Sequence, residues 1–313
     1  MATLPSSSRA PALFVVLLLA ASCSSGQTGS DAGSDGGSIL TMRPYNLKVP
    51  TGYDRSNPTP LVIMLHGYAQ TSGFQEDYFH FGAVADDQTF LYAFPDGTLD
   101  PANNRFWNAD DACCNFFASA VDDVAYVNAL IDDVSTKYNV DPKRIFVGGH
   151  SNGAFMSHRL ACDLSDRIAA IASVAGAVWN DASKCNPSSH VSVLDVHGDA
   201  DTVVNYTGGA VPADLIAAGD PPETQPPYPS EAETMSTWAA KNGCTGDLTP
   251  SALTLDLETT LPGTETIESA YSGCPSGIGV ELWTIRGGGH VPAVVHPTWE
   301  ESIYAFLKAH PKP

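Results

Sequence analysis

Residues 143–161, KRIFVGGHSNGAFMSHRLA, constrain this chain more tightly than any other stretch. The apolar IFV reads as a buried strand, the glycines around Ser151 as a tight turn, and AFMSHRLA as a helix. A serine at such a corner has a strained backbone and a side chain exposed beyond the end of a sheet, where its hydroxyl can become nucleophilic. The glycines follow from the same geometry, because close packing at the corner leaves little room for side chains. The Gly149–Gly153 spacing alone means little. The strand before it and the helix after it give it weight.

A nucleophilic serine needs a base and an acid, and both have candidates downstream. His290 follows Gly287, Gly288 and Gly289 beyond the strand-like VELWTI, on a loop able to reach back over Ser151. There it can take the hydroxyl proton and later return it to a leaving group. His296 occupies the same loop and is its rival. His66 reads as a structural hydrogen-bonding residue at a strand end, His150 as pointing away from the nucleophile, and His158 as too far along the helix. For the acid, Asp195, Asp199 and Asp201 fall in VLDVHGDADTVV. Asp195 lies within the strand and Asp199 reads as structural, so Asp201 is expected to fix the tautomer of His290 and stabilise its imidazolium. Backbone amides of Tyr68 and Asn152 are expected to form the oxyanion hole. The side chains of Tyr68 and Gln70 can face substrate. Trp107 serves equally well as a substrate wall or a core residue.

The rest of the pattern sets the fold class. LVIML (residues 61–65), residues 90–94, 145–147, 171–174 and 191–196 are apolar runs of strand length, the first stopping at His66-Gly67. Val121, Val124, Val127, Leu130, Ile131, Val134 and Tyr138 recur at helical spacing behind candidate caps Ser119 and Asp122. Ser230 and Glu233 have capping-box spacing at the head of another helix. Further strands are expected over 253–259 and 279–285, and a closing helix over 299–309. Strands alternating with helices predict an α/β fold with a mostly parallel sheet covered on both faces. The proline-rich segment 208–229 is expected to be a long loop shaping one wall of the site.

At the N-terminus, Arg9 precedes an apolar run from Ala12 to Ala21, which is shorter than the about 20 residues a membrane-spanning helix needs. Residues 1–22 therefore read as an export signal. LAASC resembles a bacterial lipoprotein cleavage site with Cys23 as the lipidated residue, although Leu19 stands one position further from the cysteine than usual. Residues 23–38, rich in Gly, Ser and Asp, read as a flexible tether. Residues 39–313 are left to form one catalytic domain. A formal charge of −20 without a basic tract excludes nucleic acid as a partner.

Once Cys23 is set aside, Cys113, Cys114, Cys162, Cys185, Cys244 and Cys274 remain, an even set that suits disulfides in an exported chain. Cys113 and Cys114 are expected to bond distant partners, anchoring their loop near Cys162 and Cys185. Cys244 and Cys274 can close the last loop. The cysteines lack the spacing of a structural zinc site, so no metal is expected.

LVIMLHGYAQT, FWNADDACCN, VDDVAYV, GGHSNGAFMSHRLAC, HGDAD and GGGH, in this order, resemble a family of secreted esterases. That family includes polyhydroxybutyrate depolymerases and the feruloyl and acetylxylan esterases of carbohydrate esterase family 1. The order Ser, Asp, His is likewise that of α/β hydrolases. The resemblance implies an α/β-hydrolase fold, the triad Ser151, Asp201 and His290, a Cys244–Cys274 bridge and no cofactor. It implies an ester-bearing polysaccharide, oligosaccharide or polyester as substrate. Feruloyl or acetyl esters of xylan lead, hydroxyalkanoate oligomers follow, and a peptidase or a non-catalytic surface-binding protein on the same fold are the rivals. His290-Val291-Pro292-Ala293 departs from the tryptophan-proline pair that many relatives carry, so the resemblance supports the reaction better than the substrate.

Overall fold

The run LVIML lies within the sheet's central block in the computed structural model, which describes residues 35–212 and 225–313. Its strand is buried throughout: Leu61, Ile63 and Leu65 enter one core, and Val62 and Met64 enter the other. A continuous apolar run is what a strand covered on both faces requires.

The elements in order are α1 (Asp35–Met42), β1 (Tyr45–Lys48), β2 (Thr59–Leu65), α2 (Ser72–Phe79), α3 (Phe81–Gln88) and β3 (Leu91–Pro95). A small hairpin, β4 (Thr98–Leu99) and β5 (Arg105–Phe106), precedes α4 (Asp123–Lys137), β6 (Val140–His150), α5 (Asn152–Asp163), β7 (Ala170–Val174) and β8 (Ser192–Gly198). After the proline-rich segment come α6 (Glu231–Asn242), β9 (Leu248–Leu255), β10 (Thr266–Tyr271), β11 (Val280–Ile285) and α7 (Thr298–Ala309). The nine-stranded sheet has the order β1-β3-β2-β6-β7-β8-β11-β10-β9. It is parallel from β3 to β11 and antiparallel at both edges. Helices α4, α5 and α6 fill the core on one face, and α2, α3 and α7 fill the other. This is the expected α/β-hydrolase architecture.

Local signals account for several boundaries. Asp122 caps α4 by accepting from the Ala125 amide at 2.9 Å, and Ser230 and Glu233 form a reciprocal capping box on α6. Other elements depart from expectation. The strand expected over 253–259 begins earlier, as β9, and pairs with β10, whose mixed polar sequence TIESAY carries little apolar signal because it lies near the sheet edge. Helices α2 and α3 are too short to show a period and meet at His80, which has φ 51°. Helix α1 starts inside the stretch read as tether. Ile39 and Leu40 pack on the core, and Arg43 forms an ion pair with the buried Asp123 at 2.6 Å.

The cysteine expectation needs one correction. Cys113 and Cys114 bond each other, while Cys162 pairs with Cys185 and Cys244 with Cys274. The peptide bond between Cys113 and Cys114 is cis and sets their Cα atoms 3.1 Å apart, a geometry outside the expectation of distant partners. The export signal, Cys23 and residues 213–224 of the proline-rich loop lie outside the described residues.

Candidate active site

Ser151 sits at the corner between β6 and α5 with φ 55° and ψ −120°, a conformation strained for any residue with a side chain. Its amide is tied to the Val174 carbonyl of β7 at 2.8 Å. The corner holds because its neighbours are glycines. A Cβ on Gly149 would come within 2.6 Å of the Gly153 backbone, and one on Gly153 within 2.7 Å of the His66 carbonyl oxygen. Helix α5 can therefore press against the end of β2.

His290 Nε2 lies 2.9 Å from Ser151 Oγ, and His290 Nδ1 lies 2.7 Å from Asp201 Oδ2. Asp201 Oδ1 also accepts from the amides of Val203 and Val204, at 2.7 and 3.0 Å. Burial alone would raise the Asp201 pKa. Hydrogen bonds from His197 and His290 outweigh it and hold the carboxyl well below the usual carboxylate range. Asp199 acts on the loop instead, accepting from the Gly287 amide at 2.6 Å and so holding the glycine run that leads to His290. Asp195, within β8, faces His158 at 3.3 Å, and His158 accepts from the Trp238 indole at 2.9 Å.

Two residues behind the triad escaped the sequence reading. His197, the histidine of HGDAD, directs Nε2 at Asp201 Oδ2 (3.1 Å) and the Val204 carbonyl (2.8 Å), and Nδ1 at Glu231 Oε1 (2.5 Å). With Glu231 ionised, which burial delays to a pKa of about 7, all these partners accept, so both ring nitrogens donate and His197 is an imidazolium. Burial opposes that charge, but the Glu231 and Asp201 carboxylates prevail and lift its pKa to about 10. Glu231 stands in the first turn of α6, where an acidic residue reads as helix capping; only the packing of α6 on β8 and β11 brings it to His197.

Other histidines brace the site. His66 accepts from the Gly97 amide at 2.9 Å through Nε2 and donates to the Gly67 carbonyl through Nδ1; burial lowers its pKa to about 4. His150 turns away from the Ser151 hydroxyl, yet its Nε2 donates to the His290 carbonyl at 2.8 Å, and burial lowers its pKa to about 3. His296 pairs with Glu300 instead of Ser151.

Beside the triad opens a cavity of about 310 Å³. Tyr68 and Gln70 line it, and Gln70 Oε1 accepts from the Gly67 amide at 3.0 Å, ordering the loop after β2. Among the described residues, no hydrogen bond engages the amides of Tyr68 and Asn152, the pair expected to hold an oxyanion. Trp107 is not a substrate wall. It is fully buried, its indole donates to the His66 carbonyl at 3.0 Å, and the Asn152 side chain clamps its backbone at 2.7 and 2.9 Å. The wall comes from further along the same loop: Cys113, Cys114 and Phe116, with Phe116 packed edge-on to Tyr68. Val211, at the described end of the proline-rich loop, and Val291 complete an apolar lining.

A family model described as phospholipase/carboxylesterase matches residues 51–218, more than half of the chain. The chain belongs to that family. Among curated relatives, feruloyl esterase B of Piromyces equi is 30% identical over 257 residues, covering 81% of this chain and 44% of that protein. The putative esterase NocK of Nocardia uniformis subsp. tsuyamanensis is 29% identical, over 80% of this chain and 68% of its own length. Poly(3-hydroxyalkanoate) depolymerase C of Paucimonas lemoignei is 26% identical, over 77% and 56% respectively. The chain thus spans less than half of the Piromyces protein. An acetyl xylan esterase from Aspergillus awamori superposes with a TM-score of 0.58 at 16% identity, covering 85% of this chain and 93% of its own, which supports the fold alone. The resemblance seen in the sequence motifs holds.

Proposed function

We propose that this family member is an exported serine esterase that hydrolyses carboxylic esters by two-step acyl transfer. The unbroken line of hydrogen bonds from Asp201 through His290 to Ser151, at 2.7 and 2.9 Å beside an apolar cavity, carries the reading. His290 takes the Ser151 proton as the oxygen attacks the ester carbonyl, and the amides of Tyr68 and Asn152 receive the oxyanion. The alcohol leaves with the proton from His290. Water then repeats the attack on the acyl-enzyme and releases the acid. Asp201 holds His290 with Nδ1–H toward it and stabilises the imidazolium. The Glu231 carboxylate offsets the charge of His197, so Asp201 keeps its full negative charge for His290.

Feruloyl or acetyl esters of xylan are the leading substrates, supported by relatives named for both and by a cavity walled with Phe116, Tyr68 and valines, which suits an uncharged acyl group. Hydroxyalkanoate oligomers are the second reading, supported by the Paucimonas relative. Export, with residues 1–22 as leader, is supported by three disulfides in the described domain, and Cys23 as a lipid anchor rests on the LAASC pattern alone. The test is product release from feruloylated arabinoxylan, acetylated xylan and 3-hydroxybutyrate oligomers by the wild type and by Ser151→Ala. Release from xylan that the variant abolishes supports the first reading. Hydroxybutyrate release alone supports the second, and turnover that survives in Ser151→Ala overturns both.

A further inference from the structure

His80, His296 and Glu300 meet on the surface outside the triad, with one ligand atom from each within 4.8 Å of the other two. They come from three segments: the α2–α3 junction, the loop after β11 and the first turn of α7. We propose that they form a binding site for a divalent transition metal of the zinc type, which clamps the His290 loop to the α2–α3 junction. Two imidazoles and a carboxylate are a ligand set that zinc favours, and water from the open side can fill the remaining position.

The three side chains differ in the way a metal site needs. The Glu300 side chain is 3% exposed, and its Oε2 lies 2.9 Å from His296 Nδ1, fixing that ring. His80 is exposed and stacks on the His296 ring with centroids 3.9 Å apart. Zinc–nitrogen bonds of about 2.05 Å arranged tetrahedrally put ligand atoms about 3.3 Å apart. Rotation of the exposed His80 ring supplies the needed approach, while the buried Glu300 stays in place. A chain with formal charge −20 also favours cation uptake electrostatically. The expectation of no metal rested on the cysteines, whereas these ligands lie near opposite ends of the folded sequence.

The clamp would act on the loop that carries the base. Tyr78, two residues before His80, donates to the Pro292 carbonyl at 3.0 Å, and its ring meets His150 edge-on. His150 in turn holds the His290 carbonyl. A metal at His80 and His296 would fasten this assembly at its outer end without touching the triad, giving a structural role.

The experiment is zinc titration by calorimetry of the full, tag-free chain stripped with EDTA, alongside thermal unfolding and ester turnover. The proposal expects a single saturable equivalent with Kd of micromolar order or tighter. It expects a midpoint raised by about 5 °C at a hundredfold excess over Kd, and initial ester turnover at 25 °C within about twofold of the metal-free rate. His80→Ala, at an exposed position, and His296→Ala should each weaken binding by at least ~100-fold while keeping turnover on a simple ester. The absence of saturable binding overturns the proposal, as does wild-type affinity for zinc in both variants. Loss of turnover in step with zinc uptake would place the ion at the triad and overturn it as well.

Discussion

The two ends of the triad are built on different physics. Ser151 is held by backbone and sterics: a residue with φ 55° between glycines whose missing Cβ atoms let α5 meet the end of β2. Asp201 and His290 stand on loops and are held by buried charge, with Glu231 supporting His197, His197 supporting Asp201, and His150 holding the His290 backbone. The first arrangement tolerates almost no added volume. The second depends on a matched set of buried charges. Damage at the serine end should therefore appear as failure to fold or as outright loss of chemistry, and damage at the acid end as altered rate and pH dependence.

Substitutions can break this comparison, and the largest effect should come from the nucleophile. Ser151→Ala is expected to lower kcat on an activated ester by roughly 10⁴-fold or more while thermal unfolding stays near wild type. Asp201→Asn should lower kcat by about 10⁴-fold by favouring the wrong His290 tautomer. Asp199→Asn, paired with it, should cost less than about tenfold, since it loses only a hydrogen bond to Gly287. Equal losses in the two aspartate variants would refute the division of roles. Gly153→Ala should destabilise by about 3 kcal/mol or more, read as a lowered urea midpoint, because the added methyl meets main chain that cannot yield.

Glu231→Gln sharpens the comparison from the other side. It leaves the His197 charge without its partner and should destabilise by about 3 kcal/mol, with kcat lowered about tenfold and KM little changed. The last effect is a pH profile of stability. Burial lowers the folded pKa values of His66 and His150 to about 4 and about 3, from 6.5. Between those limits the unfolded chain binds more protons, so the urea midpoint should fall as pH drops below 6.5. His197 is shifted the other way, to about 10, so the stability it supplies should be lost as pH rises toward that value. In Glu231→Gln the alkaline decline should flatten. An unchanged alkaline limb would show that Glu231 does not sustain the His197 charge.

Much of this was legible before any coordinates, and the reason is locality. A strand buried on both faces must be apolar along its whole length, as LVIML is, and a strand–turn–helix corner must carry small residues around its serine. Capping by Asp122 and by Ser230 with Glu233 also depends on neighbours within one helical turn. The meeting of Ser151, Asp201 and His290 was expected from the order and setting of three local motifs.

Other features depended on packing between distant segments and left no local mark. Trp107 carries the same letters whether it lines a cavity or fills a core; the Asn152 clamp and the His66 carbonyl decide for the core. Adjacent cysteines read as each seeking a distant partner, and in the folded loop a disulfide joins them to each other. Glu231 reads as an ordinary acidic residue at the head of a helix until α6 docks against the sheet and sets it on His197. The sequence by itself determined the layered α/β fold and the strand–serine–helix corner, because periodicity and steric fit act between near neighbours. Only the tertiary structure decided the cavity wall, the Cys113–Cys114 bridge and the charges behind Asp201, because those depend on how segments are folded and brought together when both faces of the sheet are covered.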